Sequence, residues 1–504
     1  MKKAIIYIFF ILSGQAVTAN VTPNPLFSDN AVFQQNIAVP IWGTADRNES
    51  ITVLFAGQRL STVATNGHWM VKLNPLKAGG PFELVIQGKD TVTVSNILVG
   101  EVWICSGQSN MERQLGLRGG QKPLDNWKAE AAAANYPEIR EFAVGKNPTP
   151  FPMSNIKGKW TVCDTATVIQ FSAVGYFFGS ELHKKLNVPI GLIHTSWGGT
   201  PAEKWTSRAA LEAHPELKQL VDAYDEAVFK YPEVLQKYRQ TETTLLQKWA
   251  ADTLVASENK KPLPQKPMPP TDPLRSGDCG GLFNSMIHPL IPYAFKGVIW
   301  YQGESNSPRA KQYQTLFTTM ITDWRKQWAI GDFPFLFVQI APFRTILPEL
   351  REAQLLTWQK TPNTAMIVTI DCGDTTDIHP IHKRPVGERL ALAARALAYG
   401  EKELVYSGPV YSAFKIIGDK VEISFTHTAN GLRTKEGNLF GFTISEDGKN
   451  FVPAKAEIKG NTVIVYSETV KIPKAVRYAF TNNANGNLFN SEGLPASPFR
   501  TDVD

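Results

Sequence analysis

Cysteine, histidine and long apolar runs are all scarce in this chain, and each scarcity removes a class of protein. Only four cysteines occur in 504 residues, Cys105, Cys163, Cys279 and Cys372, far apart and without a CxxC pair. That leaves no zinc-ribbon spacing and no dense disulfide framework, and the four read as buried free thiols. Beyond the first 19 residues no apolar stretch approaches the ~20 needed to cross a bilayer. Charge is nearly balanced: the formal value is +6, and Lys2 and Lys3 supply two of it. So small an excess argues against nucleic acid or an anionic membrane as partner. Neither HExxH nor any internal repeat occurs.

What is present begins with a leader. Lys2 and Lys3, the apolar run from Ala4 to Leu12, and the small-residue approach to Ala19 form the pattern of a secretory signal peptide. Residues 1–19 are therefore expected to be cleaved, and the mature protein exported to the periplasm or beyond the cell. A chain this long suggests about two to four domains.

The texture changes twice along the remainder. From Val21 to about Leu98, and again from about Val405, short alternating runs are broken by turn signals such as "EDGK" and "KGNT". These read as β-sandwich-like modules. Between them lie five short apolar runs that read as buried parallel strands: VWIC (102–105), IGLIHT (190–195), GVIWYQ (297–302), FLFVQIA (335–341) and AMIVTID (365–371). Phe171, Val174, Phe178 and Leu182, three and four apart, predict a helix with one apolar stripe. The pattern implies a three-layer α/β domain over 97–400, with 20–96 and 401–504 as the flanking β modules. A charged, Pro-rich insertion at about 206–275 reads as a solvated helical hairpin with a stiff return.

Ligands of open α/β sheets bind beyond the carboxyl ends of the strands, and four of these ends are unusually polar. They read Ser106-Gly-Gln-Ser109-Asn110, Ser196-Trp197-Gly198-Gly199, Gln302-Gly-Glu-Ser-Asn306, and Cys372-Gly-Asp374 leading to Asp377 and His379. A serine needs a base to become a nucleophile, and a histidine oriented by a carboxylate is the usual one. Of the eight histidines, His68 and His427 fall in the β modules and His183 and His214 on charged helical stretches. His194 ends a buried strand and His288 reads as structural, leaving His379 and His382. Asp377 and His379, at i and i+2 in an extended loop, project to one side, and Pro380 keeps His379 out of helix. The same proline opposes a helical zinc site from His379 and His382, so neither metal nor cofactor is expected. Oxyanion donors are expected from the "SWGGT" backbone, the serine N–H, and Gln302 or Asn306. The residues alone leave Ser106 and Ser109 both open.

With these blocks assembled, the chain resembles the SGNH hydrolase superfamily, and within it the sialate O-acetylesterase-like carbohydrate esterases. "GQSNM" (107–111), "HTSWGGTPAEKW" (194–205), "MIHPLIPYAFKGVIWYQGESN" (286–306) and "DIHPIHKRPVGERLA" (377–391) carry the likeness, over roughly 97–395. The resemblance implies a flavodoxin-like hydrolase domain, Ser109 as nucleophile, Asp377 and His379 as its partners with Asp374 a rival acid, and Ser109, Gly198 and Gln302 as oxyanion donors. Asn306, Trp197, Glu203 and Arg113 are candidate substrate contacts. Met111 two positions after Ser109 departs from the GxSxG elbow. The implied substrate is an O-acetylated glycan, 9-O-acetyl sialic acid first, with acetylated xylan or another polysaccharide as the alternative. A noncatalytic carbohydrate-binding protein is the remote alternative. Trp197, Trp205, Trp300 and Tyr301 are either sugar platforms or core.

Overall fold

One strand belongs to two parts of the molecule, and it explains why the texture changes where it does. In the computed structural model, which describes residues 20–502, strand β1 (Thr91–Gly107) runs unbroken for 17 residues. Its first half, TVTVSN, alternates and is half-exposed, pairing antiparallel with Gly79–Gln87. Its second half is buried on both faces between parallel neighbours. The boundary expected at 96/97 thus falls inside a strand and not in a linker. Pattern marks the change in burial, and the backbone continues. The leader expected at 1–19 lies outside the described residues.

Before β1, strands Val39–Thr44, Ser50–Phe55, Gln58–Val63 and His68–Leu73 alternate buried and exposed positions over a core of Ile41, Val53, Phe55, Trp69 and Ile86. Ala56 and Gly57 both take positive φ in the two-residue turn joining the second and third of these, the geometry whose twist matches that of hairpin strands.

The central sheet adds β2 (Tyr136–Ala143), β3 (Trp160–Cys163), β4 (Ile190–Ser196), β5 (Gly297–Tyr301), β6 (Phe335–Val338) and β7 (Thr364–Ile367). Their spatial order is β3-β2-β4-β1-β5-β6-β7, parallel except for β3. With the N-terminal strands that join it, the sheet is mixed and has eleven strands. The sequence reading found five of the central strands; β2, interrupted by Pro137, Glu138, Arg140 and Glu141, and the four-residue β3 carried no buried-strand signal.

Besides short helices at Trp127–Ala133 and Arg208–Glu212, the helices include α1 (Ser109–Glu112), α2 (Ala173–Leu186), α3 (Pro215–Glu258), α4 (Ala310–Trp328), α5 (Pro348–Lys360) and α6 (Arg384–Ala398). The stripe Phe171, Val174, Phe178 and Leu182 is buried as expected, and the Ser172 hydroxyl caps α2 by accepting the Gly175 N–H. Trp103 meets Phe178 of α2 edge-on at 5.1 Å. It stands opposite Gly297 in the register, so Trp300, three residues on, faces the other side. There it packs on Phe317 and Trp324 of α4. Helices therefore cover both faces.

The insertion is one helix, α3, of 44 residues, roughly 66 Å long at ~1.5 Å per residue, and not a hairpin of two. The Pro-rich segment, without regular secondary structure, returns along it, with Trp249 Nε1 donating to the Pro264 carbonyl at 3.0 Å. Beyond α6, the C-terminal region forms separate antiparallel sheets of four, two and four strands. Buried Arg351 of α5 pins this region by donating to the carbonyls of Thr481 and Asn482. All four cysteines are buried and unpaired.

Candidate active site

From β1 the chain first builds β2 and β4 on one side, with β4 seated between β2 and β1, and then crosses to β5 on the other, so the order reverses between β1 and β5. That is the place where an open sheet leaves a crevice. β1 ends at Gly107, where a Cβ would lie 2.2 Å from the Tyr301 carbonyl oxygen; only glycine lets the two strand ends run this close. The chain then turns through Gln108 into α1, and a cleft of about 630 Å³ opens above it. All four polar strand ends reach it: Ser109 after β1, Trp197 and Gly198 after β4, Glu304 and Ser305 after β5, and His379 after β7. Ser106 points elsewhere and is fully buried.

His379 is held from both sides of its loop. Asp377 Oδ1 accepts its backbone N–H at 2.9 Å and stands 3.8 Å from Nδ1; that second separation is an ion-pair distance and longer than a hydrogen bond. Gln121 Nε2 lies 3.4 Å from the same Nδ1. The rival Asp374 is committed elsewhere, to Lys122 at 2.7 Å and to Thr376. His382 pairs with Asp125. Burial, and then the charge of Lys383, hold the His379 pKa below its ordinary value, so the imidazole is neutral, as a base must be, at neutral pH.

A family model described as carbohydrate esterase, sialic acid-specific acetylesterase, matches residues 99–258 and 280–396. The chain belongs to this family. Its match spans the sheet, the long helix and the His379 loop. Sialate O-acetylesterases of Rattus norvegicus and Homo sapiens are each 30% identical, over 91% and 94% of this chain and 90% of theirs. A carbohydrate acetylesterase of Xanthomonas citri, known as a crystal structure, is 36% identical with a TM-score of 0.79, covering 96% of this chain and 100% of that one.

Within this carbohydrate esterase several residues expected at the cleft are structural. Gln302 is fully buried, with its amide donating to Asn306 Oδ1 at 2.7 Å and to the Thr200 carbonyl at 3.3 Å. Asn306 in turn donates to Glu203 at 2.9 Å and accepts the Ala202 N–H, while Glu203 also pairs with Arg309. These three buried side chains brace the loop after β4 and do not line the cleft. Arg113 is buried and spends its guanidinium on the carbonyls of Gln114, Gly116 and Lys122. The Gly198 N–H donates to Glu112 Oε2. Of the three expected oxyanion donors, only the Ser109 N–H bonds to no other described residue. Trp205, Trp300 and Tyr301 are core; Trp197 alone of the four aromatics lines the cleft.

Other groups stand where the sequence carried no signal. Gln108 Oε1 accepts the N–H groups of Gly303 and Ser305 at 3.3 and 3.4 Å. That fixes its amide flip and leaves Nε2, in the cleft wall, bonded to no described residue. Arg118 and Lys146 line the cleft and share one carboxylate, Glu112. Burial pushes the Glu112 pKa up, but these two cations and the Gly198 N–H outweigh it and hold it low. One positive charge is left over on this wall. Both cations come from loops without periodicity, so only the fold could place them.

Proposed function

We propose that this chain is an exported serine esterase of the SGNH type that removes O-acetyl groups from glycans. The observation that carries the reading is that Ser109 and His379, 270 positions apart in the sequence, line one cleft at the switch point of the sheet. The core strand order β4-β1-β5-β6-β7 is the flavodoxin-like order, which supports the SGNH assignment, and the leader at 1–19 supports export. His379, oriented by Asp377, takes the Ser109 Oγ proton as Oγ attacks the acetyl carbonyl. The Ser109 N–H and the free Gln108 amide receive the developing oxyanion. The imidazolium then gives its proton to the departing sugar oxygen, and water, deprotonated by His379, releases acetate from the acyl-serine.

The preferred substrate is 9-O-acetyl sialic acid, because the cleft wall carries the unbalanced charge of Arg118 and Lys146, which suits a carboxylate. The likeness to the Xanthomonas citri carbohydrate acetylesterase keeps acetylated plant polysaccharide as the second reading. Acetate release is measured from 9-O-acetyl sialic acid and from acetylated xylo-oligosaccharides. Preference for the sialate, lost when Arg118→Gln and Lys146→Gln are combined, supports the first reading; faster release from the neutral oligosaccharide overturns it.

A further inference from the structure

One amide bridges the nucleophile loop and the base loop. Asn110, next to Ser109 and 1% exposed, donates through Nδ2 to Glu304 Oε1 at 2.6 Å and to the Ile378 carbonyl at 3.0 Å. Its Oδ1 accepts from Lys383 Nζ at 2.5 Å. Ile378 is the residue before His379. A single side chain thus ties together the loops that follow β1, β5 and β7. We propose that Asn110, held by Glu304 and Lys383, is the positioning residue that sets Ser109 against His379.

The network permits one orientation of that amide. Turning it over would bring its NH₂ against the Lys383 ammonium and its oxygen against the Glu304 carboxylate, so the donors and acceptors fix it. Lys383 is itself fully enclosed, 5.4 Å from the Tyr301 ring centroid, and faces Glu304, Arg113, Cys372, Asp377 and His379. Burial draws its pKa down to about 7, against the opposing pull of Glu304, and burial lifts that of Glu304. Neither side chain has a role in the acyl-transfer steps, and Glu304 Oε2 is buried with no hydrogen-bond partner among the described residues. Such a buried polar cluster, partly unsatisfied, is costly, yet it ties the residue beside Ser109 to the residue beside His379.

The proposal rests on Ser109 and His379 as nucleophile and base, so Ser109→Ala is the control. If that variant keeps its activity, the catalytic reading fails, whatever the others do. With it inactive, Asn110→Asp, which keeps the acceptor for Lys383 and loses both donors, is expected to lower kcat about 100-fold, the scale of an ångström-sized misplacement. KM should stay within about threefold, and labelling of Ser109 by a fluorophosphonate should slow in parallel. The polarity swap N110D/E304Q restores one hydrogen bond and should recover roughly tenfold of the loss. If N110D does not fold, Lys383→Met carries the test. Removing a cation near the imidazolium raises the His379 pKa, so the acid limb of kcat/KM should move to higher pH. A kcat within threefold for folded N110D, or an unmoved acid limb with normal kcat for K383M, overturns the proposal; a lowered melting temperature alone does not support it.

Discussion

Among the described residues, two places hold a histidine beside a carboxylate with a serine nearby, and the tighter one is the one outside the cleft. At the end of β4, His194 Nε2 is 2.6 Å from Ser196 Oγ and His194 Nδ1 is 3.6 Å from Glu141 Oε1. At the cleft, His379 Nδ1 stands 3.8 Å from Asp377. By distance alone the β4 set looks better built. Yet Ser196 and His194 sit two apart on a strand hydrogen-bonded on both sides, and Ser196 is only 3% exposed. Glu141 also accepts the N–H of Ser172, the cap of α2. The set stitches β2, β4 and α2 together, and neither residue lines the cleft. The difference teaches that a candidate nucleophile is defined by the space in front of it: an acyl carbon must approach Oγ to within ~3–3.5 Å, and of Ser109 and Ser196 it is Ser109 that lines the cleft. Catalytic hydrogen bonds are commonly loose before substrate arrives, whereas structural ones are already closed.

The sharpest way to break this comparison is to remove each serine. Ser109→Ala should lower acetate release by roughly 10⁴- to 10⁶-fold, while Ser196→Ala should leave it within about threefold; the reverse ranking would place the chemistry at β4. Exchanging the acids comes next. Asp377→Asn is expected to cost about 10²- to 10⁴-fold in kcat by mis-orienting the imidazole, and Asp374→Asn little, so a steady-state comparison of the pair assigns the acid. A smaller effect is the pH profile. Because His379 is held below its ordinary pKa and must be neutral to act, kcat/KM should stay on its plateau down through pH ~6.5 and fall only below it; an acid limb above that value would contradict the burial argument. Least of all in activity, His194→Gln should cost roughly 1–3 kcal/mol of stability through an unpaired buried group, seen as a melting point lower by a few degrees with catalysis unchanged.

How much of this was legible in the sequence varies with the kind of residue. The apolar runs of β1, β4 and β5 were plain because both faces of those strands are buried, and the polar residues after them stood out by contrast. The local contact of Asp377 with His379 was legible because the two stand two apart in a loop that Pro380 stiffens. Gln302 and Asn306 were read as cleft donors from their place after a strand, but their side chains turn inward to each other. Arg113 and Arg118, five positions apart, show the same limit: one guanidinium is consumed by three loop carbonyls and the other lines the cleft. Nothing in their spacing distinguishes them.

The sequence by itself determined five of the central strands, the polar character of their ends and the two β-rich flanks, because burial period and local backbone bias are properties of neighbouring residues. Only the tertiary structure decided which polar side chains meet. Whether an amide such as Gln302, Asn306, Gln108 or Asn110 faces solvent or a buried partner depends on hydrogen-bond partners up to 273 residues away, and those partners fix which way each amide is turned.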